Sequence, residues 1–366
     1  MRTVAAFTDT YLPTINGVSY TVNTWRDGWR RRGGRMPVVY PDDTTRSAEI
    51  GEHPVPSVPF PFYEGFRFAA PTIPDAVKTV DPEIVHAHTP FTLGLAARYL
   101  AADLDVPFVA SYHTPAKEYA EYISDAFAGT IRWGADRYEQ WFFDGADAVV
   151  VPSRTAAEAI SDVRTPIHVI SNGVDTDLFR PADTATVTAF RETYGLSAGP
   201  LVGYTGRHGR EKQLRDILEA TDGIDTDVVI AGDGPTREAL ERRAASRDDV
   251  SFIGFLDRDE LPTFYSALDA FVFPSPVETE GLVALESIAC GTPVVAAAAG
   301  ALTETVSAGE TGAHFEPGNI TSFRDAIGRV LDASEELPTR LDQRRKARCV
   351  DRSIIELEAV YDEISP

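Results

Sequence analysis

Two carboxylates, Glu278 and Glu286, with seven residues between them, lie on either side of Gly281 in the run PSPVETEGLVALESIACGTP, from Pro274 to Pro293. Carboxylates in such a pair can hold sugar or ribose hydroxyls, or can work as an acid and a base. Leu282, Leu285 and Ile288 follow Gly281 at helical spacing, so a helix starts there and its first backbone N–H groups, free of intrahelical partners, form an anion site. A second chemical cluster is Gly206-Arg207-His208-Gly209-Arg210-Glu211-Lys212. It offers backbone N–H groups together with cations, among them a compact ammonium at Lys212 and a fork-shaped guanidinium at Arg207, and that combination suits a diphosphate.

Two histidines, His88 and His113, occupy corresponding places, each just after an apolar run: Ile84-Val85-His86-Ala87 for one, Val106 to Ser111 and then Tyr112 for the other. In an open α/β sheet the residues past the carboxyl ends of strands face the ligand crevice, which makes His88 and His113 candidates for ligand contact. Asn16-Gly17 marks a turn into a helix, where Gly17 allows a phosphate to approach the backbone closely. The loop it ends has a single glycine, so it lacks the G-x-G-x-x-G fingerprint of a dinucleotide fold.

Strands must position these groups. Thr3 to Thr8, Ala148 to Val151 and Ile167 to Ile170 read as strands of a first half, and Leu201 to Thr205, Asp227 to Ala231, Val250 to Ile253, Ala270 to Phe273 and Val294 to Ala297 as those of a second. Helices are expected between them, with Ser153 as a cap, an aromatic helix over Ile131 to Phe143, and further helices at Leu261 to Leu268, Ser322 to Leu331 and Ile354 to Ile364. The alternation predicts two similar α/β halves around a cleft. The pattern breaks at Ser171 to Pro181, where the interdomain linker is placed. Val55 to Tyr63 is read as an irregular, exposed proline-rich loop, and Thr303-Glu304-Thr305-Val306 with Gly309 to Gly312 as loop.

With 366 residues and 43% hydrophobic content the chain can bury two large cores. A net charge of −22 argues against nucleic acid as a partner. Lysine occurs only at positions 78, 117, 212 and 346, and an acidic, lysine-poor surface fits a salt-rich cytoplasm, where screening shortens electrostatic range to about 3 Å at molar ionic strength. No run of about twenty apolar residues and no apolar signal core is present, so a cytoplasmic protein is expected. Cys290 and Cys349 suggest packing, with no disulfide. Trp25-Arg26-Asp27-Gly28-Trp29-Arg30-Arg31-Arg32 is the densest basic and aromatic cluster; it reads either as a peripheral membrane contact at the inner face or as the ordinary cationic end of a helix. The Asp175-Thr176-Asp177 and Asp225-Thr226-Asp227 triplets read as linker and strand entry, so neither a metal nor a cofactor is expected.

Taken together, Glu278 and Glu286 around Gly281, the loop of Arg207 and Lys212, Asn172-Gly173-Val174-Asp175 and Asn16-Gly17 resemble glycosyltransferase family 4, retaining enzymes of GT-B fold, over nearly the whole chain. The resemblance implies two Rossmann-like, doubly wound domains facing a central cleft. Residues 1–172 would bind the acceptor, residues 173–348 the nucleotide sugar, and residues 349–366 would pack back on the first domain. It implies transfer of a hexose, such as mannose, galactose or glucose, from a UDP-, GDP- or ADP-sugar to a hydroxyl acceptor of lipid or lipid-linked type. Glu286 would hold ribose hydroxyls, Glu278 the donor sugar, and Arg207 with Lys212 the diphosphate, joined by the backbone of Gly17, Gly281, Leu282 and Val283. Phe255 and Leu256 would lie at the base, His113 would be the active-site histidine, and His88 and Tyr112 would stand on the acceptor side. One departure is Glu280, where the family often has an aromatic residue; its carboxylate is expected to face solvent.

Three other activities fit parts of the pattern. A hydrolase would use Glu278 and Glu286 as acid and base and needs one raised pKa, whereas the nearby cations favour two ionised groups. An epimerase would act on the donor without an acceptor. A binding protein would keep the nucleotide pocket and lose turnover.

Overall fold

A computed structural model describes residues 1–60, 67–113, 128–333, 341 and 347–365, with the backbone alone for 128–133. Pro61 to Tyr63, Thr114, Pro115, Lys117 and Lys346 lie outside the described residues. The chain divides into two compact units, one made of Met1–Asn172 with Val350–Pro366 and the other of Gly173–Cys349.

The first unit is built on a seven-stranded sheet. Its strands are β1 (Val4–Phe7), β2 (Val38–Pro41), β3 (Glu52–Val55), β6 (Ile84–Ala87), β7 (Phe108–Ser111), β8 (Ala148–Val151) and β9 (Ile167–Val169), in the order β3-β2-β1-β6-β7-β8-β9. All neighbours are parallel. The central strands are wholly buried short runs of valine, alanine, phenylalanine and isoleucine, interrupted only by His86 and Ser111, the composition of strands covered on both faces. One face packs under the helix Thr92–Leu104, through Leu93, Ala97 and Leu100, with Phe142 and Phe143 beside them. The other face carries Val22, Trp25 and Trp29 of the helix Gly17–Arg31, together with Ile354, Leu357 and Tyr361 of the helix Val350–Ile364. That last helix thus completes the core of the first unit.

The second unit repeats the plan. β10 (Leu201–Thr205), β11 (Asp227–Ala231), β12 (Val250–Gly254), β13 (Ala270–Phe273), β14 (Val294–Ala297) and β15 (Gly312–Phe315) form a parallel sheet in the order β12-β11-β10-β13-β14-β15. In both sheets the order reverses beside the first strand, between β1 and β6 and between β10 and β13. Loops leaving the carboxyl ends of those strands line the place where open α/β sheets bind ligands.

Four sequence expectations need correction. Val55 to Pro59 is not irregular: Val55 ends β3, and Ser57–Pro59 (β4) pairs with Arg67–Ala69 (β5) in a two-stranded antiparallel ribbon. The stretch from Thr303 to Gly312 is not all loop either, since Leu302–Thr305 is a short helix and Gly312 starts an edge strand. The tryptophans of the basic cluster face the core: Trp25, Arg26 and Trp29 are all fully buried. Arg26 Nη1 lies 3.2 Å from Oε1 of the buried Glu52, so its guanidinium joins a polar network behind an apolar stripe, while Asp27 and Arg30 to Arg32 reach solvent. Glu280, expected in solvent, is 1% exposed. Its backbone carbonyl accepts from Thr305 Oγ1 and its carboxylate has Arg348 Nη1 at 4.0 Å, so a distant arginine replaces water as its counter-charge.

Candidate active site

In the second unit the loop after β10 takes its shape from the loop after β11. His208 N donates to the Asp233 carbonyl at 2.8 Å, and Thr236 returns both its N–H and its hydroxyl to the His208 carbonyl. A Cβ on Gly232, whose φ is +106°, would fall 2.0 Å from the Gly206 carbonyl oxygen, so the two loops meet backbone to backbone. This seating carries Arg207 and, through the 3₁₀ turn Arg210–Lys212, Lys212. Arg207 Nη1 donates to Glu211 Oε1 at 3.1 Å.

Lys212 reaches across the switch point to the loop after β13. Its Nζ donates to Glu278 Oε1 at 2.6 Å. Burial disfavours the ammonium, yet Glu278 together with the Tyr204 phenol and Glu211 outweighs burial and holds its pKa above the ordinary lysine value. The loop then ends at Gly281, whose φ of +85° is the left-handed conformation a Cβ would forbid, with Leu302 Cδ2 only 2.7 Å away. Intrahelical bonding in the helix Leu282–Ala289 begins with Ala284 N to the Gly281 carbonyl, so the amides of Leu282 and Val283 lie ahead of the ladder.

Glu286 lies on the buried side of that helix. Its Oε2 accepts from the Tyr265 hydroxyl at 2.9 Å, and Arg258 Nη1 lies 3.6 Å from Oε1. Burial raises its pKa despite the opposing effect of Arg258 and Tyr265. Leu256 is buried and Phe255 is half exposed, so the two neighbours point to different surroundings. Tyr265 and Arg258 escaped the sequence reading, as did Ser275, whose Oγ at the end of β13 is buried with no partner among the described residues.

In the first unit, the loop after β1 is tied to the loop after β6 by Asp9. Its carboxylate accepts from Thr89 and Thr92 hydroxyls, both at 2.7 Å, and from Leu93 N at the start of the next helix. Burial raises the Asp9 pKa and those donors oppose it. Asn16 caps the helix Gly17–Arg31 by accepting from Ser19 N, and Gly17 opens that helix exposed to solvent.

The structure brings His88 and His113 together: Nδ1 of one is 3.2 Å from Nε2 of the other, and their rings are 12° from parallel. Behind them lies a third, His86, two residues along β6 on the same face and stacked on His88 at 4.2 Å. Burial depresses all three, His86 to about 3 and His113 to about 4, so the stack is neutral at neutral pH. Tyr112 is buried against Phe143 and belongs to the opposite core face, which removes it from the histidine group. Among the described residues no cluster of three histidine, cysteine, aspartate or glutamate side chains is arranged to hold a metal.

The family model for glycosyl transferases group 1 matches residues 187–348, and that for glycosyltransferase family 4 matches residues 15–178. A GDP-mannose-dependent alpha-mannosyltransferase of Mycolicibacterium smegmatis is 30% identical over 84% of this chain and 83% of its own. The chain belongs to glycosyltransferase family 4. A second family relative, the alpha-monoglucosyldiacylglycerol synthase of Streptococcus pneumoniae, is 28% identical over 90% of this chain and 78% of its own length. Among solved structures, sucrose-phosphate synthase from Thermosynechococcus elongatus superposes with a TM-score of 0.80 at 21% identity, covering 100% of this chain and 99% of that one. The GT-B plan of two Rossmann-like domains is therefore the fold of this glycosyltransferase, which is a hexosyltransferase by family.

Proposed function

We propose that this glycosyltransferase moves a hexose, with retention, from a nucleotide diphosphate sugar to a hydroxyl on a lipid acceptor. The observation that carries the reading is the meeting of Lys212, Glu278 and the start of the helix Leu282–Ala289 at the switch point of the second sheet. Breaking the bond between sugar and diphosphate builds negative charge on the leaving group, and a fixed ammonium with helix amides aimed at that charge lowers the barrier without a metal. Glu278 then holds donor-sugar hydroxyls and Glu286 ribose hydroxyls. Residues 173–348 serve as the donor half, and residues 1–172, completed by the last helix, as the acceptor half with His113 and His88. On retention, the departing phosphate takes the acceptor proton on the face it leaves.

The mannosyltransferase relative supports GDP-mannose as a donor, and the pneumococcal relative, named for a glucosylated diacylglycerol, supports a lipid acceptor met at the inner membrane face. Among the described residues no helix is long and apolar enough to cross a membrane. The lysine-poor acidic composition supports work at high salt.

The test is a release assay with GDP-mannose, UDP-glucose and ADP-glucose, each with and without diacylglycerol vesicles. Acceptor-dependent nucleotide release with one donor supports transfer. Acceptor-independent conversion of the sugar points to an epimerase, and binding without turnover to a non-catalytic protein.

A further inference from the structure

The stack of imidazoles does not end at His86. Nδ1 of His86 lies 2.7 Å from the hydroxyl of Tyr361, and its Nε2 lies 2.8 Å from Ser111 Oγ. Tyr361 belongs to the helix Val350–Ile364, 275 residues along the chain, and is fully buried. Trp25 stands edge-on to His88 and His113 and tilted to His86, with centroids 5.8 to 6.2 Å away, and its Nε1 donates to the Asn172 carbonyl at 2.8 Å. The Asn172 side chain also stands beside His113, where it favours the protonated ring. The column is therefore fastened at its His86 end and walled along its edge by Trp25.

These contacts assign protons. A phenol donates better than it accepts, so Nδ1 of His86 is an acceptor and its Nε2–H donates to Ser111. With His86 fixed in plane and tautomer, its ring sets where His88 can lie, and His88 presents Nδ1 to Nε2 of His113. An apolar core would fill this space at lower cost, because every member of a buried polar network must find its partner.

We propose that Tyr361 and His86 are positioning residues for the glycosyl transfer, acting through the ring stack on His88 to hold the ring plane of His113. This rests on the reading of His113 as an active-site residue. It makes the last helix part of the apparatus that orders the site as well as part of the core.

Tyr361→Phe isolates the hydroxyl, since the ring remains to pack on Trp29 at 5.3 Å. Ser111→Ala removes the other anchor with a smaller change. The protein is labelled with ¹⁵N-histidine, and the ring nitrogen shifts of His88 and His113, which respond to their mutual hydrogen bond and ring environment, are read in the full chain. Both variants are expected to move the His88 and His113 ring nitrogen shifts as the stack that places the two rings loosens. With GDP-mannose or UDP-glucose and diacylglycerol vesicles, kcat is expected to fall about five- to thirtyfold at nearly constant donor KM. Unchanged ¹⁵N shifts in both variants overturn the proposal, as does a lowered melting temperature with unchanged shifts and kcat, the mark of packing alone. His113→Ala separates the two readings: unchanged turnover there removes His113 from the chemistry, while the shifts in Tyr361→Phe still show whether the column orders it.

Discussion

Lys212 Nζ and Glu278 Oε1, 66 residues apart in sequence, meet at 2.6 Å and join the loops after β10 and β13. Each is the other's counter-charge, and a diphosphate must take Lys212 from Glu278. Glu278→Gln is therefore expected to tighten GDP or UDP binding about three- to tenfold, about 1 kcal/mol, while lowering turnover of the sugar donor. Lys212→Ala weakens nucleotide binding. Calorimetric titration of both variants checks this, and equal affinities across wild type and Glu278→Gln refute the competition.

Loss of Glu286 has a different signature. Glu286→Ala removes one end of the Tyr265–Glu286–Arg258 group and is expected to weaken GDP or UDP binding by about 1.5–3 kcal/mol, the value of a charge-assisted hydrogen bond. Because burial raises the Glu286 pKa, wild-type affinity should begin to fall at a higher pH than an exposed glutamate would produce. Titrations from pH 8 down to pH 5 read both effects.

His113→Ala is expected to reduce turnover by about a hundredfold or more, with nucleotide affinity held within about twofold, since general acid–base or positioning roles act on the chemical step. Steady-state kinetics beside equilibrium binding makes the comparison.

The three stacked imidazoles link folding to acidity. Their pKa values are lower in the folded chain than in the unfolded one, so the unfolded chain binds more protons below about pH 6.5. Their contribution is complete above that pH and is lost as pH falls toward the folded values, about 4 for His113 and about 3 for His86. Each costs about 1.4 kcal/mol per pH unit across that window. Denaturant titrations between pH 7 and 5 should show the loss, and the resonances of the three rings should not move over the same range.

Gly232→Ala places a methyl 2.0 Å from the Gly206 carbonyl at a φ that L residues avoid. The expected cost is about 2–4 kcal/mol of stability, with weaker nucleotide binding as the Arg207 loop shifts. Chemical denaturation and the same calorimetric titration read the two consequences.

How much of this could be read from the residues depended on distance along the chain. Buried parallel strands announce themselves as short apolar runs, and Leu201–Thr205, Asp227–Ala231, Ala270–Phe273 and Val294–Ala297 fall where those runs lie. The helix start at Gly281 was legible because its signals are local. β15 was not, since Gly312-Ala313-His314-Phe315 is a short edge strand with little apolar content, and the ribbon of Ser57–Pro59 was hidden by its prolines. Glu280 looked like a surface carboxylate because its arginine is at position 348. His86 looked like one residue of a buried strand, because the tyrosine that gives it meaning is in the last helix.

That helix also sets an order of events during synthesis. Residues 1–172 leave the ribosome first, but the helix Val350–Ile364 is made only after the whole of the second unit, roughly ten to forty seconds later at about 5–20 residues per second. Until then the face of the helix Gly17–Arg31 that carries Trp29, and the groove at Gly28 that receives Ile354, have no cover from their own chain. The nascent first unit thus keeps apolar surface uncovered while the second is made, and its histidine column gains its Tyr361 anchor last.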